Sequence, residues 1–156
     1  MCLAQMPPRE GGAQPQAKHV IAKADFLAVR SGLQCLLAQE PLRSLPDDAR
    51  GTAEIVLAEA LNNIVEHAYA AHSGAIEIVV GLQGDEICCT ILDDGAPMPN
   101  HNLPQGKAHD LSDFDTLPEG GFGWFLIRAL AHDLHYQRHR DQNHLCFRLP
   151  AQALVA

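Results

Sequence analysis

Apolar positions along this chain switch between a helical and a strand period, with one long aperiodic stretch past the middle. Residues 1–17 are rich in Pro, Gly and Gln without an apolar period, which predicts a flexible tail. His19–Ala24 reads as a short strand. Phe26, Val29, Leu33, Leu36 and Leu37 then recur at helical spacing, so an Asp25 cap should open a helix to about Gln39. Pro41 and Pro46 bracket a loop. A second helix is expected from an Asp47 or Asp48 cap to about Ala70, ended by Ser73-Gly74. Ala75–Leu82 and Glu86–Leu92 flank the turn signal Gln83-Gly84-Asp85, which predicts a hairpin. Residues 94–120 hold four prolines and no period. Gly121–Ala131 is apolar and helical, and Leu134–His139 with Leu145–Leu149 reads as a last hairpin around Asp141-Gln142-Asn143.

Strands joined by tight turns pair with their neighbours, so this order implies an α+β fold. It should be a two-layer sandwich, a mixed and mainly antiparallel sheet with the helices on one face. At 156 residues the chain is long enough for one real core, placed at 18–150 between tails at 1–17 and 151–156. The formal charge of −8 and the lack of a basic patch exclude direct nucleic-acid binding. No apolar run approaches a membrane span, and the first residues show no secretory pattern, so the expected setting is the cytoplasm. Five cysteines at positions 2, 35, 88, 89 and 146 lack metal-ligand spacing and read as reduced thiols. His132, His135 and His139 are close in sequence, but no Cys or carboxylate framework completes a metal site around them.

The second helix carries the candidate chemistry. Glu59, Asn63 and His67 recur every fourth residue, which on a helix sets them in one stripe. With Asn62 and Glu66 they span a sector of roughly 140°. Leu57, Ala60, Leu61, Ile64, Val65 and Ala68 cover the other side. A polar stripe is by itself compatible with a solvated helix face. Two later segments change that picture. Ile91 to Pro97 ends an apolar run in D-x-G-x-P, with Asp93, Gly95 and Pro97 at its fixed positions. Asp93 stands where a strand meets a glycine turn and could accept from an exocyclic amine such as adenine N6, and Gly95 has no Cβ to keep a flat base away. Gly120-Gly121-Phe122-Gly123 then opens an apolar helix, whose free N–H groups favour an anion.

The order E-x-x-x-N-x-x-x-H, D-x-G-x-P, G-G-x-G-x-x-L-I resembles the nucleotide-binding boxes of the GHKL ATPase superfamily, over roughly residues 18–150. The short chain, Pro97 and the E-H-A-Y continuation are most similar to the anti-sigma factor serine kinases. The resemblance implies a Bergerat-type ATP-binding fold and the cofactors ATP and Mg²⁺. It implies Glu59 as general base, Asn63 as the Mg²⁺ ligand, His67 as pocket support and Asp93 as reader of adenine. Gly95, Pro97, Gly120, Gly121, Phe122 and Gly123 would complete the nucleotide boxes. Between Gly95 and Gly120, Lys107 is the only Lys or Arg, and it would have to help at the phosphates with His101 or His109. A loop of this length inside a compact domain is expected to be a lid, at about 98–119. The implied partners are an antagonist protein phosphorylated on serine and a sigma factor, and family members commonly pair as homodimers. A protein-sequestering module without kinase activity, favoured by the acidic lid, is the alternative. The detached catalytic domain of a sensor kinase ranks below both.

Overall fold

The computed structural model describes residues 16–106 and 122–152. In chain order the elements are β1 (Gln16–Ile21), α1 (Phe26–Leu37), α2 (Asp47–Asn63), a π-helical turn (Ile64–Ala68), β2 (Ile76–Gln83), β3 (Glu86–Asp93), α3 (Phe122–Leu130), β4 (His132–His139) and β5 (Gln142–Pro150). The strands form one sheet in the order β1-β2-β3-β5-β4, and every pairing is antiparallel.

Strand alternation decides which side chains meet the helices. Ile76, Ile78 and Val80 of β2, Ile87, Cys89 and Ile91 of β3, and Leu145, Phe147 and Leu149 of β5 are all buried. They share one core with Leu33 and Leu36 of α1, Val56, Leu57, Ala60 and Leu61 of α2, and Trp124 and Ile127 of α3. This is the expected two-layer α+β sandwich. Each fully buried Leu, Ile or Phe is worth about 1.5–3 kcal/mol over leaving it exposed. This apolar layer therefore holds the fold together and leaves the polar residues at its rim free for other work.

Local chemistry explains most element ends. Asp25 caps α1 as expected, its carboxylate accepting from Ala28 N–H at 2.7 Å. Phe26, placed in the helix stripe from sequence, is instead 58% exposed; the buried stripe begins at Val29. The first strand lies at Gln16–Ile21 rather than His19–Ala24, because Ala17 and Ile21 are the positions that alternate into the core and pair with β2. Gln16 and Ala17 of the expected tail thus belong to β1, and residues 1–15 lie outside the described residues. At the other end, Ala151 N–H donates to Asp85 C=O at 2.8 Å. Pro46, not Asp47 or Asp48, occupies the N-cap of α2, without a side-chain bond. Both aspartates sit in its first turn, where they complement the positive end of the helix dipole.

The largest departure is at the end of α2. A single α-helix to about Ala70 was expected; α-helical bonding stops at Asn63 and a π turn follows. Tyr69 N–H donates to Ile64 C=O at 2.9 Å, a bond spanning five residues. Because the helix ends there, Ala68 C=O has no intrahelical donor and accepts instead from Ala96 N–H at 2.8 Å, which ties the helix end to the loop after β3. Cys35, Cys88 and Cys89 are free thiols, but Cys146 is disulfide-bonded. That corrects the expectation of five reduced thiols, because spacing along the chain does not reveal which sulfurs the fold brings together. Among the described residues, no helix is long and apolar enough to cross a membrane.

Candidate functional site

The described residues of the three sequence motifs converge at one end of the sandwich, where β3 ends, β5 begins and α2 passes into the π turn. Glu59 and Asn63 stand one turn apart on α2. Gly123, in the first turn of α3, faces both: a Cβ there would lie 2.7 Å from Glu59 Oε2 and 3.3 Å from Asn63 Nδ2. Gly95 packs onto the π turn, where a Cβ would lie 2.6 Å from the Ala68 carbonyl oxygen. Both glycines are needed for close approach; at neither is a positive φ the reason. Asn63 Nδ2 is buried with no hydrogen-bond partner among the described residues. An amide held beside a carboxylate and a glycine, with one end unsatisfied, suits a ligand-facing position, because an unpaired buried polar group otherwise costs about 1–3 kcal/mol. Its oxygen is the hard donor type that Mg²⁺ takes.

Asp93 is the last residue of β3 and only 5% exposed. Its Oδ1 accepts from Gly95 N–H at 2.9 Å and from Asn143 Nδ2 at 2.8 Å. Burial pushes its carboxyl above the ordinary range, while the donors from Asn143 and Gly95 pull the other way by favouring the ionised form. Asn143 is itself buried and fully engaged. Its Nδ2 also donates to Ala96 C=O at 2.9 Å, and its Oδ1 accepts from Tyr136 O–H at 2.6 Å and Arg138 Nη1 at 2.8 Å. Arg138 Nη1 further donates to Gly95 C=O at 2.9 Å. Strand register explains the cluster: Asp93 pairs with Asn143, and Asn143 with Arg138, in a line across β3, β5 and β4. On the other flank, Tyr69 O–H donates to Ala75 C=O at 2.6 Å and accepts from Asp94 N–H at 2.9 Å.

Glu59, Asn63, Asp93, Gly95 and Gly123 are thus gathered around the end of α2 and its π turn. Pro97 is exposed on the loop beyond Gly95. His67 lies past the point where the helix widens, 68% exposed, with Nε2 3.9 Å from Glu66 Oε2. Phe122 opens α3, while Lys107, His109, Gly120 and Gly121 lie outside the described residues, as does most of the expected lid. The described start of that segment is fastened down. Met98 N–H donates to Tyr136 Oη at 3.0 Å, and Arg128 Nε donates to Pro104 C=O at 2.8 Å. Sequence reading missed Asn143, Tyr136, Arg138 and Tyr69. The signal for Asn143 was available: it alternates with Leu145, Phe147 and Leu149, so it points inward once β5 is started at Gln142 rather than Leu145.

The arrangement can hold an amine-bearing ring at Asp93, and a polyphosphate with its cation between Asn63 and the start of α3. Residues 22–149 match the family described as histidine kinase-like ATPase domain. Proteins named serine-protein kinase RsbW, from Bacillus cereus and from Bacillus thuringiensis subsp. konkukian, are each 37% identical over 83 residues. That stretch is 52% of this chain and 52% of each relative, so the chain spans about half the length of the curated relatives it matches. A solved structure, the blue-light activated histidine kinase of Erythrobacter litoralis, aligns over 69% of this chain and 32% of that one. Its TM-score of 0.44 and 22% identity add nothing to the assignment.

Proposed function

The chain belongs to the histidine kinase-like ATPase domain family, and from that premise we propose that it binds Mg-ATP and transfers the γ-phosphate to a serine hydroxyl of a partner protein. The observation that carries this reading is the meeting of Gly123 with Glu59 and Asn63, which joins a glycine helix entry to a carboxylate and an unsatisfied amide. Asp93 accepts from the adenine amine, and Gly95 leaves room for the ring. Asn63 offers its amide oxygen to Mg²⁺, which when bound neutralises phosphate charge. The N–H groups at the start of α3 face the phosphates. Glu59 takes the proton of the serine hydroxyl as its oxygen bonds to the γ-phosphorus, the bond to the bridging oxygen breaks, and ADP leaves.

The named relatives act as serine-protein kinases, which supports serine as the acceptor. The resemblance to anti-sigma serine kinases supplies the partners: an antagonist protein as substrate, a sigma factor as the protein held, a homodimer as the assembly and the cytoplasm as the setting. Glu59→Gln tests the chemistry, since it keeps size and hydrogen bonding but takes up no proton. It should leave ATP binding within a few-fold and slow single-turnover phosphoryl transfer by about 10²–10⁴. Equal rates would remove Glu59 as the base. A parent that binds ATP but phosphorylates no candidate antagonist would leave a sequestering module in place of a kinase.

A further inference from the structure

We propose that Asn143 is a positioning residue for base selection: it sets the Asp93 carboxylate as a pure acceptor, so that an adenine amine is taken and a guanine carbonyl is refused. This deepens the reading of Asp93 as the base-binding residue and rests on it. The argument is one of hydrogen-bond direction. Met98 N–H can only donate, so Tyr136 Oη, which accepts from it at 3.0 Å, must send its own proton onward to Asn143 Oδ1 at 2.6 Å. Arg138 Nη1, another obligate donor, points at the same Oδ1 from 2.8 Å. Two donors on one oxygen fix which end of the amide is which, so Nδ2 must face Asp93. There it donates to Oδ1, beside the second donor, Gly95 N–H.

Asp93 Oδ1 is thereby occupied twice. Among the described residues Oδ2 receives no hydrogen bond, and it is the oxygen left for a ligand. Both donors on Oδ1 favour the ionised carboxyl, against the burial that favours the neutral one. An ionised Oδ2 accepts from the N6 amine of adenine, whereas guanine presents the O6 acceptor in its place and meets lone pairs with lone pairs. Without Asn143 the carboxyl would hold its proton to higher pH. A protonated Asp93 can turn its O–H toward a guanine carbonyl, and selection is lost.

The test is calorimetric titration of the full chain, as parent, Asn143→Ala and Tyr136→Phe, with Mg-ATP and Mg-GTP over a pH series. Asn143→Ala should weaken ATP about tenfold while GTP stays within about twofold or improves. The pH below which ATP affinity falls should move upward. Tyr136→Phe removes one of the two donors on Asn143 Oδ1 and should act in the same direction to a smaller extent. The other ionisable or charged groups around Asp93 are Asp94, Arg138, Tyr69 and His144, present in all three proteins, so the parent-to-variant difference isolates Asn143. A merely structural Asn143 would lower Tm and weaken both nucleotides in parallel with the pH dependence unmoved, and that result overturns the proposal. Should Asn143→Ala fail to fold, Tyr136→Phe carries the same test through the loss of a single hydroxyl. A parent that selects ATP with both variants selecting equally well sinks this inference alone. A parent that binds no adenine nucleotide sinks the function with it.

Discussion

Asp93 bears a cost for its place in the cleft. Burial raises its carboxyl above the ordinary range, so the unfolded chain gives up this proton at lower pH than the folded one. The parent therefore loses stability as pH rises from the ordinary carboxylate range through the raised one, and does not regain it at neutral pH. Asp93→Asn has no such titration, and its oxygen can keep the bonds from Gly95 and Asn143. Thermal unfolding should show the variant gaining on the parent as pH rises across the acid range, with the gap smallest at the acid end. Nucleotide affinity should move oppositely, because the new amide turns a donor toward the adenine amine. Loss of a hydrogen bond to a charged group, about 1.5–3 kcal/mol, predicts roughly 10- to 150-fold weaker ATP binding. A variant both less stable at neutral pH and unaltered in affinity would contradict the account.

At the scale of elements, the two site glycines should respond differently to the same methyl group. At Gly95 the added Cβ meets the backbone of the π turn, 2.6 Å from Ala68 O, and backbone tied to Ala96 N–H cannot move aside cheaply. Gly95→Ala should cost about 1–3 kcal/mol of stability by overpacking. At Gly123 the added Cβ meets the tip of Glu59, a flexible side chain that can swing away. Gly123→Ala should then leave Tm within a few degrees yet displace Glu59, and phosphoryl transfer should fall further than stability does. Denaturant unfolding and single-turnover assays on both variants check the pair. If Gly123→Ala unfolds the protein as readily as Gly95→Ala, Glu59 is held more firmly than its position implies. The π turn is the element that makes this contrast. It joins a helix carrying Glu59 and Asn63 to the loop carrying Gly95.

For the molecule as a whole, a formal charge of −8 opposes a polyphosphate. Mg²⁺ should therefore matter for ATP far more than for adenosine, which has no phosphates to neutralise. Chelating Mg²⁺ with EDTA should weaken ATP binding strongly and leave adenosine binding within about twofold. Asn63→Ala should abolish most of the Mg²⁺-dependent gain. Equal Mg²⁺ dependence for the two ligands would place the cation somewhere other than at Asn63.

Spacing and residue type were enough to read two layers and the paired strands; Glu59, Asn63, Asp93, Gly95 and Gly123 were singled out by the resemblance of three ordered motifs to a known family. Those features are local: a period of 3.6 or 2 marks the core-facing positions of each element, and a glycine among larger residues marks a close approach. The described start of the aperiodic stretch, up to Gly106, holds one short helical turn at Pro99–His101 and no strand. The π turn was not legible, because Ile64–Ala68 has ordinary helical residues, and the bond that ties its end to the chain, from Ala96 N–H to Ala68 C=O, comes from a segment distant in sequence. The alternation of Asn143 with Leu145, Phe147 and Leu149 points it inward, but nothing beside it in sequence says that its partner is Asp93, fifty residues away. Tyr136, Arg138 and Tyr69 belong to the same class. Their partners are chosen by strand register and by the packing of helix against sheet, and such contacts exist only once distant segments have been brought together.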